Sequence, residues 1–151
     1  MRLFLDTNIV VEYLEHRRYF HEVRLILETI RDGQNEGFVS QGCIYTLLYL
    51  LERVLKTRNI HRPEQTMILR RMMSSIIRLF TPIGIGRREM LDAMTNLQFD
   101  DLEDSLQHQC AVESQCGVLL TINVDDYKNV DQTQIEVLSP SAFVEQYLRK
   151  E

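Results

Sequence analysis

The stretch RLFLDTN, residues 2–8, decides how the rest of the chain is read. Leu3, Phe4 and Leu5 make an unbroken apolar run, the pattern of a central parallel strand covered on both faces, and the run stops on an acid, Asp6. In open parallel sheets, ligands bind outside the carboxyl ends of the strands. A carboxylate at that end is therefore either a cap for the helix that follows or part of a site.

Working outward, Ile9, Val10, Tyr13 and Leu14 fall on one helical face, and Val23, Leu25, Ile26 and Ile30 predict a second helix over 19–32. GQNEG breaks it, and FVS, residues 38–40, reads as a second strand. Ile44, Leu47, Leu48, Leu51 and Leu55 predict a helix over 42–56. Pro63 suits the first turn of another helix reaching about Phe80, with Met67, Met72 and Met73 as core filler. FTPIGI predicts a short strand, with Pro82 tolerable only at a sheet edge or strand end. Helices over 87–97 and 102–115 follow, then strands at GVLLTIN (117–123) and IEVL (135–138). Ser139 and Pro140 open a last helix with Phe143, Val144 and Tyr147. Strands alternating with helices predict an α/β fold, a central parallel β-sheet of about five strands surrounded by helices. Residues 1–151 are read as one domain.

Composition narrows the function. A formal charge of −5 argues against a general nucleic-acid coat. One basic stretch stands out, RVLKTRNIHR (53–62), where Arg53, Lys56, Arg58 and Arg62 occur without an acid; it is a local basic patch for nucleic acid, or simply a solvated helix face. Cys43, Cys110 and Cys116 fit neither a disulfide framework nor a zinc ribbon, and His16, His21, His61 and His108 lack metal-pair spacing and are expected at the surface or at an interface. With no charged-then-apolar leader and no apolar run near the ~20 residues that span a bilayer, a cytoplasmic protein without membrane contact is expected.

Acids cluster in two further places. FDDLEDSLQ (99–107) holds Asp100, Asp101, Glu103 and Asp104, of which Asp101 and Asp104 share a face at a helix start, and TINVDDY (121–127) holds Thr121, Asn123, Asp125 and Asp126 just after an apolar strand. Singly, Asp6, Asp101 and Asp104 are explained by helix capping. Gathered on one rim they would raise one another's pKa, a cost that a hard divalent cation offsets, since Mg²⁺ takes one or two carboxylates plus waters and phosphate.

At these residues the chain resembles the PIN domain family, the nuclease fold of VapC-type toxins, in the bacterial branch whose last motif reads T-x-N. FLDTN, VSQGCIYTLLYLL, FDDLEDSLQ and LLTINVDDY occur in the family's order along nearly the whole chain. The resemblance implies an endoribonuclease using Mg²⁺ or Mn²⁺, an antitoxin partner and a homodimer. It implies Asp6 and Asp104 as metal ligands and Asn123 at the fourth acidic position. Asp101 joins these as a catalytic candidate, Asn8 and Thr121 shape the pocket, and Glu103 and Asp126 support it. The second acidic position falls on Thr46. The next carboxylate on that helix, Glu52, lies about 9 Å along and roughly 240° around, and cannot take its place. A catalytically weak or silent PIN-like module that binds RNA or protein is the rival expectation. A D-x-D phosphatase is opposed by Asn8, and no P-loop or complete dinucleotide fingerprint is present.

Overall fold

In a computed structural model, which describes residues 1–149, the apolar runs pair as one parallel sheet. Its strands are β1 (Arg2–Leu5), β2 (Glu36–Ser40), β3 (Thr81–Ile83), β4 (Val118–Leu120) and β5 (Glu136–Leu138), in the order β3-β2-β1-β4-β5. Parallel neighbours need crossover connections. Helices α1 (Thr7–Leu14) and α2 (Phe20–Arg31) join β1 to β2, α3 (Gln41–Thr57) and α4 (Glu64–Leu79) join β2 to β3, and α5 (Arg87–Thr95) and α6 (Leu102–Glu113) join β3 to β4. A 3₁₀ turn, Val124–Tyr127, precedes β5; α7 (Pro140–Phe143) follows it and runs into a π-helical turn, Val144–Leu148.

Successive strand residues point to opposite faces. Leu3 and Leu5 accordingly join a core with Ile9, Ile26, Leu47 and Phe143, whereas Phe4 joins another with Phe38, Phe99, Leu119 and Tyr127. The chain passes from β1 to β2 and β3 on one side of the sheet, then returns to place β4 and β5 on the other. The order therefore reverses between β1 and β4, and the crevice beyond their carboxyl ends is where such a sheet receives ligands.

Pro82 lies in β3, an edge strand, where its missing N–H is tolerated. Other expectations are corrected. The strand foreseen over 117–123 ends at Leu120; the Thr121 N–H still bonds the Leu138 carbonyl, while its hydroxyl donates to Asp6 and accepts from the Asn123 N–H as the chain turns away. Met67 is 64 % exposed: the buried stripe of α4 is Gln65, Leu69, Met73 and Ile76, which position 67 misses. Leu25 and Leu48 likewise fall off their helices' buried stripes. His108 is partly buried against the Phe99 ring rather than free at the surface, and burial lowers its pKa. All three cysteines are buried thiols. Among the described residues, no helix is long and apolar enough to cross a membrane.

Candidate functional site

Asp6 follows β1 directly, and its N–H extends the sheet by bonding the Leu120 carbonyl at 2.9 Å. It occupies the N-cap position of α1 with extended backbone, yet its side chain makes no capping bond. Oδ2 instead accepts from the Thr121 hydroxyl at 3.0 Å and from Asn8 Nδ2 at 3.3 Å, and Oδ1 accepts from Gln107 Nε2 at 3.2 Å. Asn8 ties this set together: its Nδ2 also reaches Thr121 Oγ1, and its Oδ1 accepts from the Ile122 N–H. Three neutral donors thus orient a carboxylate that is only 5 % exposed. Burial raises its pKa, against the lowering effect of the Thr121 and Gln107 hydrogen bonds.

Asp104 reaches the same crevice from the first turn of α6. It is 8 % exposed, and burial, followed by the charges of Asp6, Asp101 and Asp126, pushes its pKa up to about 7. Asp101 has a structural duty as well: its Oδ1 caps α6 by accepting from the N–H groups of Glu103 at 2.9 Å and Asp104 at 3.2 Å. Capping therefore accounts for Asp101 but for neither Asp6 nor Asp104.

Asp6, Asn8, Asp101, Asp104, Asn123 and Asp126 line one cavity of about 330 Å³, with Glu103, Arg17 and Leu50 also in its wall. Among the described residues no Lys or Arg forms an ion pair with these aspartates. Arg17, the cation at the wall, is engaged with Glu15, its Nε 2.7 Å from Oε2. Nor do three Asp, Glu, His or Cys side chains converge closely enough to hold a metal ion by themselves among the described residues. Two carboxylates backed by neutral oxygen donors fit Mg²⁺, which keeps several waters and shares phosphate oxygens with substrate; they do not fit an all-protein cage.

Helix α3 brings no acid to this cavity. It contributes Leu50, while Thr46 faces an adjoining cavity of about 340 Å³ shared with Ser40, Cys43, Glu103 and Gln107. Glu103 lines both spaces. Glu52 lies elsewhere, paired with Lys56 at 3.7 Å and Arg62 at 3.6 Å, and the Arg53 guanidinium sits 5.7 Å from the Tyr49 ring centre. None of Arg53, Lys56, Arg58 and Arg62 lines the acidic cavity. Two residues of the site, Gln107 and Arg17, are not among those the sequence singles out. The first was findable, because it stands one helical turn after Asp104; the second depends on how the α1–α2 turn folds back.

The geometry has counterparts among known proteins. The family model described as "PIN domain" matches residues 2–125. Ribonuclease VapC1 of Aquifex aeolicus is 22 % identical, over 97 % of this chain and 95 % of its own length. Two solved structures share the fold, each with a TM-score of 0.60. One is of VapBC2 from Rickettsia felis bound to a DNA fragment from their promoter, at 16 % identity over 91 % of this chain and 99 % of that one. The other is of VapBC-1 from nontypeable Haemophilus influenzae, at 14 % identity over 93 % and 99 %.

Proposed function

We propose, from the premise that the chain belongs to the PIN domain family, that it is a divalent-cation-dependent endoribonuclease, the toxin of a toxin-antitoxin pair, hydrolysing RNA phosphodiester bonds. One observation carries the reading: two buried carboxylates, Asp6 and Asp104, line one cavity at the sheet's switch point, with neutral donors on Asp6 and, among the described residues, no Lys or Arg ion-paired to either. The name of the Aquifex relative, a ribonuclease of similar length, supports it.

In this reading Asp6 and Asp104 hold Mg²⁺ or Mn²⁺. When bound, the ion supplies a water of lowered pKa and positive charge for the phosphoryl oxygens. Thr121, Asn8 and Gln107 keep the Asp6 carboxylate from rotating, so it meets the ion without reorganisation. Asn123, Asp101 and Asp126, at the cavity wall, would accept hydrogen bonds from the attacking water and orient it toward the phosphorus, with Glu103 beside them. Arg17 exchanges Glu15 for a phosphate oxygen as substrate enters. Arg53 and Arg58 extend the RNA contact beyond the cleaved bond, with Lys56 and Arg62 held in reserve by Glu52. The partners inferred are RNA, an antitoxin protein and a second copy of the chain in the cytoplasm. Self-association is supported by the exposed α5 residues Met90, Leu91 and Met94 and by Leu97 beyond its end.

Neutral residues at Thr46 and Asn123 favour the rival reading, a silent binding module, and one experiment separates the two. Cleavage of RNA is measured with Mg²⁺ or Mn²⁺ for the parent protein, Asp6→Asn and Asp104→Asn. The nuclease reading expects a loss of about a hundredfold or more in each variant. Absence of cleavage by the parent under both ions selects the silent module, and cleavage that survives both substitutions removes these aspartates from the site.

A further inference from the structure

Tyr127 ends the 3₁₀ turn beside the acidic cavity and is wholly buried. Its ring fills the second core, edge-on to Phe99 with ring centres 5.5 Å apart. Phenylalanine would fill that space as well, so packing does not call for the hydroxyl. The hydroxyl also has no hydrogen-bond partner among the described residues. A buried, unsatisfied polar group costs stability. What surrounds it is the acid set: after burial, the charges of Asp6, Asp104 and Asp101 are what hold its pKa far above the ordinary tyrosine value, and the Asp104 carboxyl is near enough to act on it without meeting hydrogen-bond geometry. The hydroxyl is thus a buried donor without a partner, beside a carboxyl to which no neutral side chain among the described residues donates.

We propose that Tyr127 is a positioning residue for the cation site: in the cation-loaded state its hydroxyl donates to the Asp104 carboxylate, fixing which carboxylate oxygen faces the ion. This deepens the nuclease reading and rests on it. Asp6 already has three side-chain donors, Thr121, Asn8 and Gln107, whereas among the described residues the side-chain neighbour of Asp104 is another acid, Asp126, and no neutral side chain donates to it. Tyr127 supplies what Asp104 lacks, and does so from the side buried in protein, where water cannot substitute.

The test is Tyr127→Phe, compared with the parent and with Asp6→Asn, by calorimetric Mn²⁺ titration, by melting temperature in chelator, and by RNA cleavage across Mn²⁺ concentrations. The expected result is Mn²⁺ affinity weaker by about tenfold. The metal-free melting temperature is unchanged or higher, because an unpaired buried hydroxyl has been removed, and cleavage recovers most of its rate at saturating Mn²⁺. Unchanged Mn²⁺ affinity in Tyr127→Phe overturns the proposal, whichever way the melting temperature moves. The nuclease reading is judged separately: Mn²⁺ binding that Asp6→Asn abolishes upholds the cation site even when Tyr127→Phe behaves as the parent does. A parent protein that binds no Mn²⁺ ends both.

Discussion

Two acidic regions of this molecule are treated oppositely by the fold. At the end of α3, Glu52 stands between Lys56 and Arg62 on the surface, its charge met within 4 Å by two cations. Beyond the carboxyl ends of β1 and β4, Asp6 and Asp104 are buried in one cavity wall, Asp6 oriented by neutral donors and Asp104 exposed to the charge of Asp6. Composition alone does not distinguish the two, since both follow from acids placed on helices or just before them. The difference teaches that unrelieved charge is the better marker of a site: a fold that gathers carboxylates without supplying Lys or Arg has left them for something that arrives later.

The largest expected effect breaks that contrast by removing the unrelieved charge. Asp104 has a folded-state pKa of about 7, raised by burial and by Asp6, Asp101 and Asp126, above its ordinary value of 3.8. A raised carboxyl pKa means that the folded state binds the proton more tightly than the unfolded chain. Its stabilising effect is therefore fully present below about pH 4 and is lost as pH rises through about 7. In chelator, the melting temperature is expected to fall between pH 5 and pH 8. Asp104→Asn should flatten this slope and raise the melting temperature at pH 8, while abolishing cleavage. Adding Mg²⁺ or Mn²⁺ to the parent should restore at pH 8 what ionisation removed. A parent protein equally stable at pH 5 and pH 8 without metal would mean that burial and the neighbouring acids do not raise the Asp104 pKa.

A smaller effect sharpens the contrast at the cavity wall. Arg17 is tied to Glu15 rather than to the aspartates, so Arg17→Ala should leave Mn²⁺ binding nearly intact. By removing a phosphate partner, it should raise KM for RNA about tenfold, with a lesser change in kcat. Steady-state kinetics at saturating metal checks this split. A fall in kcat alone would assign Arg17 to the transition state instead.

Much of this arrangement is legible in the chain itself, for reasons that differ element by element. The unbroken apolar runs of β1 and β4 announce strands covered on both sides, and an acid at the end of the first announces the rim. Asp104 is visible through its spacing from Asp101, although the same spacing cannot reveal that Asp101 caps the helix while Asp104 does not. What escapes depends on contacts between distant segments. Thr121 lies 115 residues from Asp6, and only the folded chain shows its hydroxyl donating to that carboxylate. Gln107 and Arg17 carry ordinary surface-type side chains whose importance appears only when α6 and the α1–α2 turn meet β1. Met67 misleads in the opposite direction: it is an apolar residue within a helix, yet only the stripe at 65, 69, 73 and 76 faces inward.

The smallest effect concerns the relieved region, and its smallness is the point. Glu52 faces Lys56 and Arg62 where water competes, with the two cationic side chains 59 % and 77 % exposed, so the pairs are worth about 0 to 1 kcal/mol at most. Glu52→Ala should shift the melting temperature little and leave Mn²⁺ affinity alone. It should nevertheless release two cations next to Arg53 and Arg58. If RNA runs along that segment, binding tightens about twofold at low salt, and the slope of log affinity against log salt steepens by about 1. Anisotropy titrations of a labelled single-stranded RNA at several salt concentrations measure both quantities. An unaltered slope would make residues 53–62 a solvated face and leave recognition to the cavity and Arg17, because each phosphate that a cation neutralises sheds counterions and so registers in the salt dependence.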